Sequence, residues 1–189
     1  MRGLRFSLLI LAGFWSSAAS AAVEIHFYSK DFASTFPHAF VRLTGTIDAT
    51  GEKVDTNFGF TPVRLNPSIL MGPVKGMIQT VDSKYVARSD KHFTLQLTDD
   101  QYRMVLTRIE SWRTSAQPNY RLESRNCVYF VADVASALGL QAPPAPGLMK
   151  KPKTYLRKVA QDNLALIANW PNPTGTGTAA AATASAAAH

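Results

Sequence analysis

Segments in which apolar and polar residues alternate fill the first half of the chain, and they constrain the fold more than any other feature. A period of two is typical of a strand with one buried face. It occurs over residues 23–28, 38–45 and 54–60, and residues 77–81 and 92–97 are two further predicted strands. The second half of the chain carries the helical period of 3.6 instead. Because strands mostly precede helices, the sequence predicts an α+β fold with a small antiparallel β-sheet packed against helices.

Three helices are predicted from residue spacing and from end signals. A capping box formed by Thr98 and Gln101 begins the first helix, whose apolar residues recur at helical spacing. Asn126 begins the second helix, and Gly139 closes it. The third helix is predicted over residues 152–167 and is rich in basic residues.

Both ends of the chain differ in composition from its central part. Positively charged residues precede a short apolar run and an A-x-A cleavage pattern at residues 19–21, so residues 1–22 are predicted to be a secretory signal peptide. Residues 169–189 run into nearly pure Ala, Thr and Ser, which predicts a low-complexity disordered tail. Residues 23–168 are expected to form one domain, which is exported to a periplasm or secreted.

The composition excludes several classes of protein. Charged residues make up 17% and hydrophobic residues 46% of the 189 residues, which fits neither a disordered polyelectrolyte nor a polytopic membrane protein. The net charge is +7 and falls to +5 when Arg2 and Arg5 leave with the signal peptide. No stripe of Arg and Lys interleaved with aromatic residues occurs, so no nucleic acid partner is expected. The excess charge is interpreted as a solvated basic face or as attraction to anionic envelope polymers or an anionic membrane surface.

Cys127 is the only cysteine, and it directly follows the asparagine that is predicted to begin a helix. The dipole and free N–H groups at a helix N-terminus stabilise a thiolate, so this position predicts a lowered thiol pKa. The same N–H groups can hold a developing oxyanion. An unpaired thiol is open to oxidation outside the cytoplasm, which favours a functional role over that of a small buried hydrophobic residue. Cys127 is therefore the candidate nucleophile.

A thiol nucleophile needs a base, and the chain has four histidines. His189 ends the predicted tail. His26 is interpreted as an ordinary strand residue, and His92 lies among basic residues that disfavour its protonated form. His38 begins a predicted strand, which would fix its ring on the same face as Phe40. His38 is therefore the candidate base.

The order of these two residues resembles that of one superfamily. His38 lies in the string Phe-Pro-His-Ala-Phe-Val over residues 36–41, and Cys127 lies in Arg-Asn-Cys-Val-Tyr-Phe-Val over residues 125–131. A histidine strand followed by an Asn-Cys helix start resembles the circularly permuted branch of the papain-like NlpC-type superfamily. That branch includes lecithin–retinol acyltransferase-like proteins and permuted cell-wall amidases. The resemblance covers about residues 23–140.

The resemblance implies a permuted papain-like fold with the cysteine at a helix N-terminus and a Cys–His site that performs acyl transfer. Cys127 would match the nucleophile and His38 the general base. The superfamily places a third polar residue on the strand that follows the histidine strand. Strand phase gives Asn57, Gly59 and Thr61 one face, so Asn57 is the predicted third catalytic residue and Thr61 the second choice.

Three functions are consistent with these observations. The first is an exported cysteine peptidase or amidase that hydrolyses an amide bond in a cell-envelope polymer, such as peptidoglycan peptide, through a thioester intermediate. The second is a lipid-directed acyltransferase or thioesterase on the same fold, with the apolar loop 69–71 and the basic last helix facing a membrane. The third is a non-catalytic exported binding module in which Cys127 is merely buried. No phosphate-binding loop, metal-binding helix or calcium loop is present, so no cofactor and no metal are expected. The sequence does not indicate the oligomeric state.

Overall fold

A five-stranded antiparallel sheet forms the centre of the protein, with the strand order β4-β3-β2-β1-β5. The computed structural model describes residues 22–31 and 36–171. The five predicted strands are confirmed, and their ends agree with the prediction to within two residues. The strands are β1 Val23–Lys30, β2 His38–Thr46, β3 Lys53–Pro62, β4 Gly76–Gln79 and β5 Asp90–Leu97.

Alternation along β1 shows why these segments form strands. Ile25 and Phe27 are fully buried on the sheet face that the long helices cover. His26 lies on the opposite face, where its ring nitrogens hydrogen-bond the hydroxyls of Thr94 at 2.8 Å and Thr44 at 2.7 Å. Burial of the apolar set on one face fixes the strand register, because a shift of one residue would expose that set to solvent.

Three helices pack on one face of the sheet: α2 Asp99–Thr114, α3 Cys127–Ala137 and α4 Pro152–Asp162. Helix α3 lies on β2 and β3, and α4 lies on β1 and β5. The capping box predicted at the start of α2 is confirmed. Within the 66–76 loop, a single 3₁₀ turn forms at Pro67–Leu70. On the other face of the sheet lies α1 Ser83–Ala87, a short helix that the sequence analysis did not predict.

The last predicted helix is divided in two, so the prediction of one helix over residues 152–167 is wrong. Helix α4 ends at Asp162, and α5 Leu164–Ala168 follows. Asn163 separates them, and its buried side chain accepts a hydrogen bond from Gln141 N at 2.8 Å and donates to Gln141 O at 2.9 Å. This contact with a distant loop holds the backbone outside helical geometry at the break.

The predicted signal peptide and tail lie outside the described residues, apart from residues 22 and 169–171. Within the described ranges, no helix is long and apolar enough to cross a membrane. The coarse fold class, α+β with an antiparallel sheet packed against helices, is confirmed.

Candidate functional site

Cys127 and His38 line the same cavity, which has a volume of about 640 Å³. The cavity lies where two neighbouring strands separate. The ladder between β2 and β3 ends at the pair Val41–Phe58, and the last residues of β3 pair with β4 instead. The lining is mainly apolar and includes Phe60, Leu65, Ile69, Val81, Leu122 and Met149. The site therefore combines two chemically reactive side chains with a groove that suits an apolar or extended ligand.

Asn126 fixes the start of α3 and with it the position of Cys127. Its side-chain oxygen accepts a hydrogen bond from Val128 N at 2.8 Å, which caps the helix as predicted. Its side-chain nitrogen donates to the carbonyls of Leu122 and Met149, both at 2.7 Å. Asn126 is only 2% exposed. This one amide therefore joins the helix N-terminus to the two loops that flank the cavity.

The thiol of Cys127 is more deeply buried than the sequence indicates, with 8% of the residue exposed. Burial raises the pKa of Cys127 to about 11, and backbone hydrogen bonds from Ala39, Cys127 itself and Val128 act in the opposite direction without overcoming it. The predicted lowering of the thiol pKa is therefore wrong, because desolvation outweighs the helix N-terminus. Since the backbone of Ala39 acts on the thiol, the sulfur lies near the residue that follows His38.

The imidazole of His38 is held against the sheet at the beginning of β2. Its ring stacks on Phe40, with 6.1 Å between the ring centroids and 17° between the ring planes. The Nε2 atom is buried and has no hydrogen-bond partner among the described residues. Burial lowers the pKa of His38 to about 4, so the ring is neutral at physiological pH. At rest, the site contains a neutral thiol and a neutral imidazole.

Asn57, the predicted third catalytic residue, makes its contacts elsewhere. Its side-chain nitrogen donates to Val81 O at 2.9 Å, and its side-chain oxygen accepts from Val81 N at 2.7 Å. The register places Asn57 opposite Arg42, four residues beyond His38 along β2. Asn57 also lines a different cavity, on the α1 side of the sheet. These contacts give no support to an orienting role, whereas Thr61, the second choice, lines the cavity that contains His38.

Two further residues adjoin the site. At Gly59, an added Cβ atom would overlap Nε2 of His38 and lie 2.9 Å from Cε1 of the same ring. Strand phase places Gly59 on one face with Asn57 and Thr61, but the contact with His38 is visible only in the structure. Tyr120 lines the cavity and is 7% exposed. Burial raises the pKa of Tyr120, and the nearby Cys127 raises it further. Tyr129, in contrast, donates its hydroxyl to Glu123 O at 3.1 Å and does not line this cavity.

The remaining histidines of the described chain lie outside the cavity. His26 is held by its two threonine partners, and Nε2 of His92 hydrogen-bonds Ser29 Oγ at 2.8 Å. Burial is the main cause that lowers the pKa of both rings. Among the described residues, no group of three or more His, Cys, Asp or Glu side chains is arranged to hold a metal ion.

Comparison of the chain with protein-family models, with curated proteins and with solved structures finds no match. Membership of the NlpC-type superfamily therefore stays a prediction.

Proposed function

We propose that the protein is an exported cysteine hydrolase that cleaves an amide bond in a cell-envelope polymer such as peptidoglycan peptide. One observation carries this proposal: a cysteine at a helix N-terminus and a histidine at a strand start line one cavity. The backbone N–H of Ala39, the residue that follows the histidine, also acts on the thiol by lowering its pKa. A thiol and an imidazole arranged in this way are the parts of a nucleophile and its general base.

The proposed reaction begins with substrate in the groove. His38 accepts the thiol proton through Nδ1, because Nε2 is enclosed against β3, while Sγ of Cys127 attacks the carbonyl carbon. The N–H of Cys127, at the first position of α3, stabilises the tetrahedral oxyanion, because Val128 N and Tyr129 N already donate to the side chain of Asn126. The imidazolium then protonates the leaving amine, the C–N bond breaks and a thioester remains. A water molecule, deprotonated by the same imidazole, attacks the thioester, releases the carboxylic acid and restores the thiol.

The resting charge state defines the type of catalysis. A raised thiol pKa and a lowered imidazole pKa both oppose a resting thiolate–imidazolium pair. The proton therefore moves during the attack on the substrate, as in general-base catalysis, and not before substrate binds. Positive net charge of the mature chain and the predicted export are consistent with an anionic polymer of the envelope as substrate.

The pH dependence of hydrolysis tests this mechanism. With soluble muropeptides as substrate, kcat/KM of the mature protein is expected to rise with pH with a midpoint near 4, because His38 must be neutral to act as the base. Above that rise the rate is expected to stay level to about pH 9, since the neutral thiol is the reactive form. The release of a new amine and a new carboxylate is measured by mass spectrometry.

Folding must be followed in the same experiment. In the unfolded chain His38 has its ordinary pKa and binds a proton near pH 6.5, whereas the folded protein binds it only near pH 4. Stability therefore falls as the pH is lowered from 6.5 to 4, and circular dichroism identifies any loss of rate that comes from unfolding. His26→Gln, a variant of a buried histidine outside the cavity, should keep the midpoint. A bell-shaped profile centred on a thiol of low pKa would contradict the mechanism.

A lipid-directed acyltransferase or thioesterase is the second candidate, because apolar side chains are exposed beside the cavity. Leu65 lines the cavity and is 55% exposed, and Leu70 and Met71 are 72% and 89% exposed. The surrounding segment 63–75 carries Arg64 and Lys75 and no acidic residue. Exposed apolar side chains together with positive charge are typical of a surface that contacts an anionic membrane.

Vesicle binding tests the second candidate. The double variant Leu70→Ser/Met71→Ser is expected to bind anionic phospholipid vesicles at least about tenfold more weakly than the mature wild-type protein, because two apolar side chains no longer enter the bilayer interface. Co-sedimentation measures the binding, and hydrolysis of long-chain acyl thioesters measures the activity. Met104→Ser, on α2 and away from the cavity, is the control.

The two assays also separate the three functions. Turnover of acyl thioesters on vesicles without turnover of muropeptides would favour the lipid enzyme over the amidase. Absence of vesicle binding in the wild-type protein would contradict the lipid enzyme. Absence of turnover with both substrates would favour the non-catalytic binding module.

A further inference from the structure

We propose that Gly59 is a positioning residue for the His38 imidazole, which is oriented by the shape of its slot and not by a polar partner. This inference rests on the proposed function, since it concerns the ring that serves as the base. It adds a residue without a side chain to the site and removes the need for a third polar residue.

The imidazole is enclosed by backbone and by an aromatic ring. The backbone of Gly59 lies so close that an added Cβ would overlap Nε2 and lie 2.9 Å from Cε1. Phe40 stacks on the same ring, with 6.1 Å between the ring centroids. Phe40 itself is fully buried and stacks on Tyr28 with 5.2 Å between centroids and 6° between ring planes. The ring therefore occupies the volume that a side chain at position 59 would need.

A polar orienting group is missing from the contacts that the structure describes. In a triad, the third group accepts a hydrogen bond from the distal nitrogen of the base and fixes its tautomer. Here Nε2 is buried without a hydrogen-bond partner among the described residues, and the amide of Asn57 bonds Val81. Among the described residues, steric contact is the remaining means by which the direction of this ring can be fixed.

Enclosure without an acceptor has a chemical consequence. An imidazolium formed during the reaction holds its second N–H against Gly59, where no oxygen of the residues that the structure describes accepts it. The charged ring is therefore stabilised less than in a triad, and its proton passes readily to the leaving amine. Catalysis then depends on the exact placement of Nδ1, which makes the rate sensitive to one added methyl group at Gly59.

Gly59→Ala tests the proposal in the full mature protein. The methyl group must displace the imidazole toward the cavity, so we expect the pKa of His38 to rise toward its ordinary value, by one unit or more. We expect kcat/KM to fall about 10- to 100-fold with little change in KM, because a displaced base lowers the rate of the chemical step. The midpoint of the pH–rate profile should move upward by the same amount as the pKa, which nuclear magnetic resonance titration of His38 measures.

Gly76→Ala is the matched control. Its Cβ would also meet tight neighbours, Phe60 Cζ at 2.5 Å and Asn119 Oδ1 at 2.6 Å, and none of the three atoms nearest to it belongs to His38. It should reduce stability in a similar way and leave the titration of His38 unchanged. If Gly59→Ala does not fold, Phe40→Leu tests whether steric contacts orient the imidazole. Loss of the stacked ring should also raise the pKa of His38 and lower kcat/KM.

Failure of the inference and failure of the proposed function give different results. An unchanged His38 titration and an unchanged rate in folded Gly59→Ala, or in Phe40→Leu, would overturn the positioning role. A wild-type protein without hydrolase activity, in which Gly59→Ala still shifts the titration, would instead overturn the proposed function and leave the steric slot established.

Discussion

Replacing Cys127 with alanine is expected to lower kcat/KM for muropeptide hydrolysis by at least about 10³-fold, because the acyl group then has no nucleophile to accept it. Cys127→Ser should be nearly as inactive, although a hydroxyl occupies almost the same volume. A serine hydroxyl is far less acidic than a thiol, and in the described part of the chain the second nitrogen of the base has no hydrogen-bond acceptor. The rate of product release, followed by mass spectrometry, gives the loss.

A double variant makes this expectation more specific. His38→Gln alone should reduce the rate by about 10² to 10⁴, the range of a general base. His38→Gln combined with Cys127→Ala should be no slower than Cys127→Ala alone, because residues that act as one unit are not additive. The histidine control is His26→Gln, which should retain the wild-type rate. Substantial hydrolysis by folded Cys127→Ala would contradict the proposal that Cys127 is the nucleophile.

The strands and long helices could be predicted because their signals are local. In β1, the alternation that predicts a strand is the same alternation that buries Ile25 and Phe27. The capping box at Thr98 needs only residues within the same turn. The break at Asn163 could not be predicted in this way, since the residue that holds it, Gln141, is 22 positions away. Helix α1 was missed because it is five residues long, although its N-cap, Asp82, is visible in the sequence.

In the candidate site, too, the features set by neighbouring residues in the sequence could be predicted, and those set by tertiary contacts could not. An asparagine before Cys127 is a local signal, and the helix start that it predicts is confirmed. The pKa of the thiol depends instead on how far β2 and the flanking loops exclude water, which no local pattern reveals. Similarly, strand phase gives the correct face for Asn57, but the register places it four residues along β2 from His38, beside Arg42. Distance along a strand is set by tertiary pairing and not by periodicity.

Asn126→Ala is expected to be the most destabilising polar substitution near the cavity, by about 3 to 5 kcal/mol. Loss of the helix cap accounts for about 1 kcal/mol. Each of the two carbonyls that lose their donor, those of Leu122 and Met149, adds about 1 to 2 kcal/mol if it stays buried without a partner. For a domain of this size the midpoint of thermal unfolding should fall by roughly 10 °C, as calorimetry can measure.

Asn66→Ala provides the matched comparison, because Asn66 also caps a helix start but is exposed. Its side-chain oxygen accepts a hydrogen bond from Ser68 N at 3.0 Å. Because its side chain is exposed, Asn66→Ala should lower the free energy of unfolding by less than about 1 kcal/mol. Asn126→Asp keeps the cap acceptor but removes both donors, and should therefore be nearly as unstable as Asn126→Ala. Equal effects of Asn66→Ala and Asn126→Ala would show that the two loop carbonyls find other donors. In that case the side-chain amide of Asn126 would not be needed to join the loops of Leu122 and Met149 to the helix that carries Cys127.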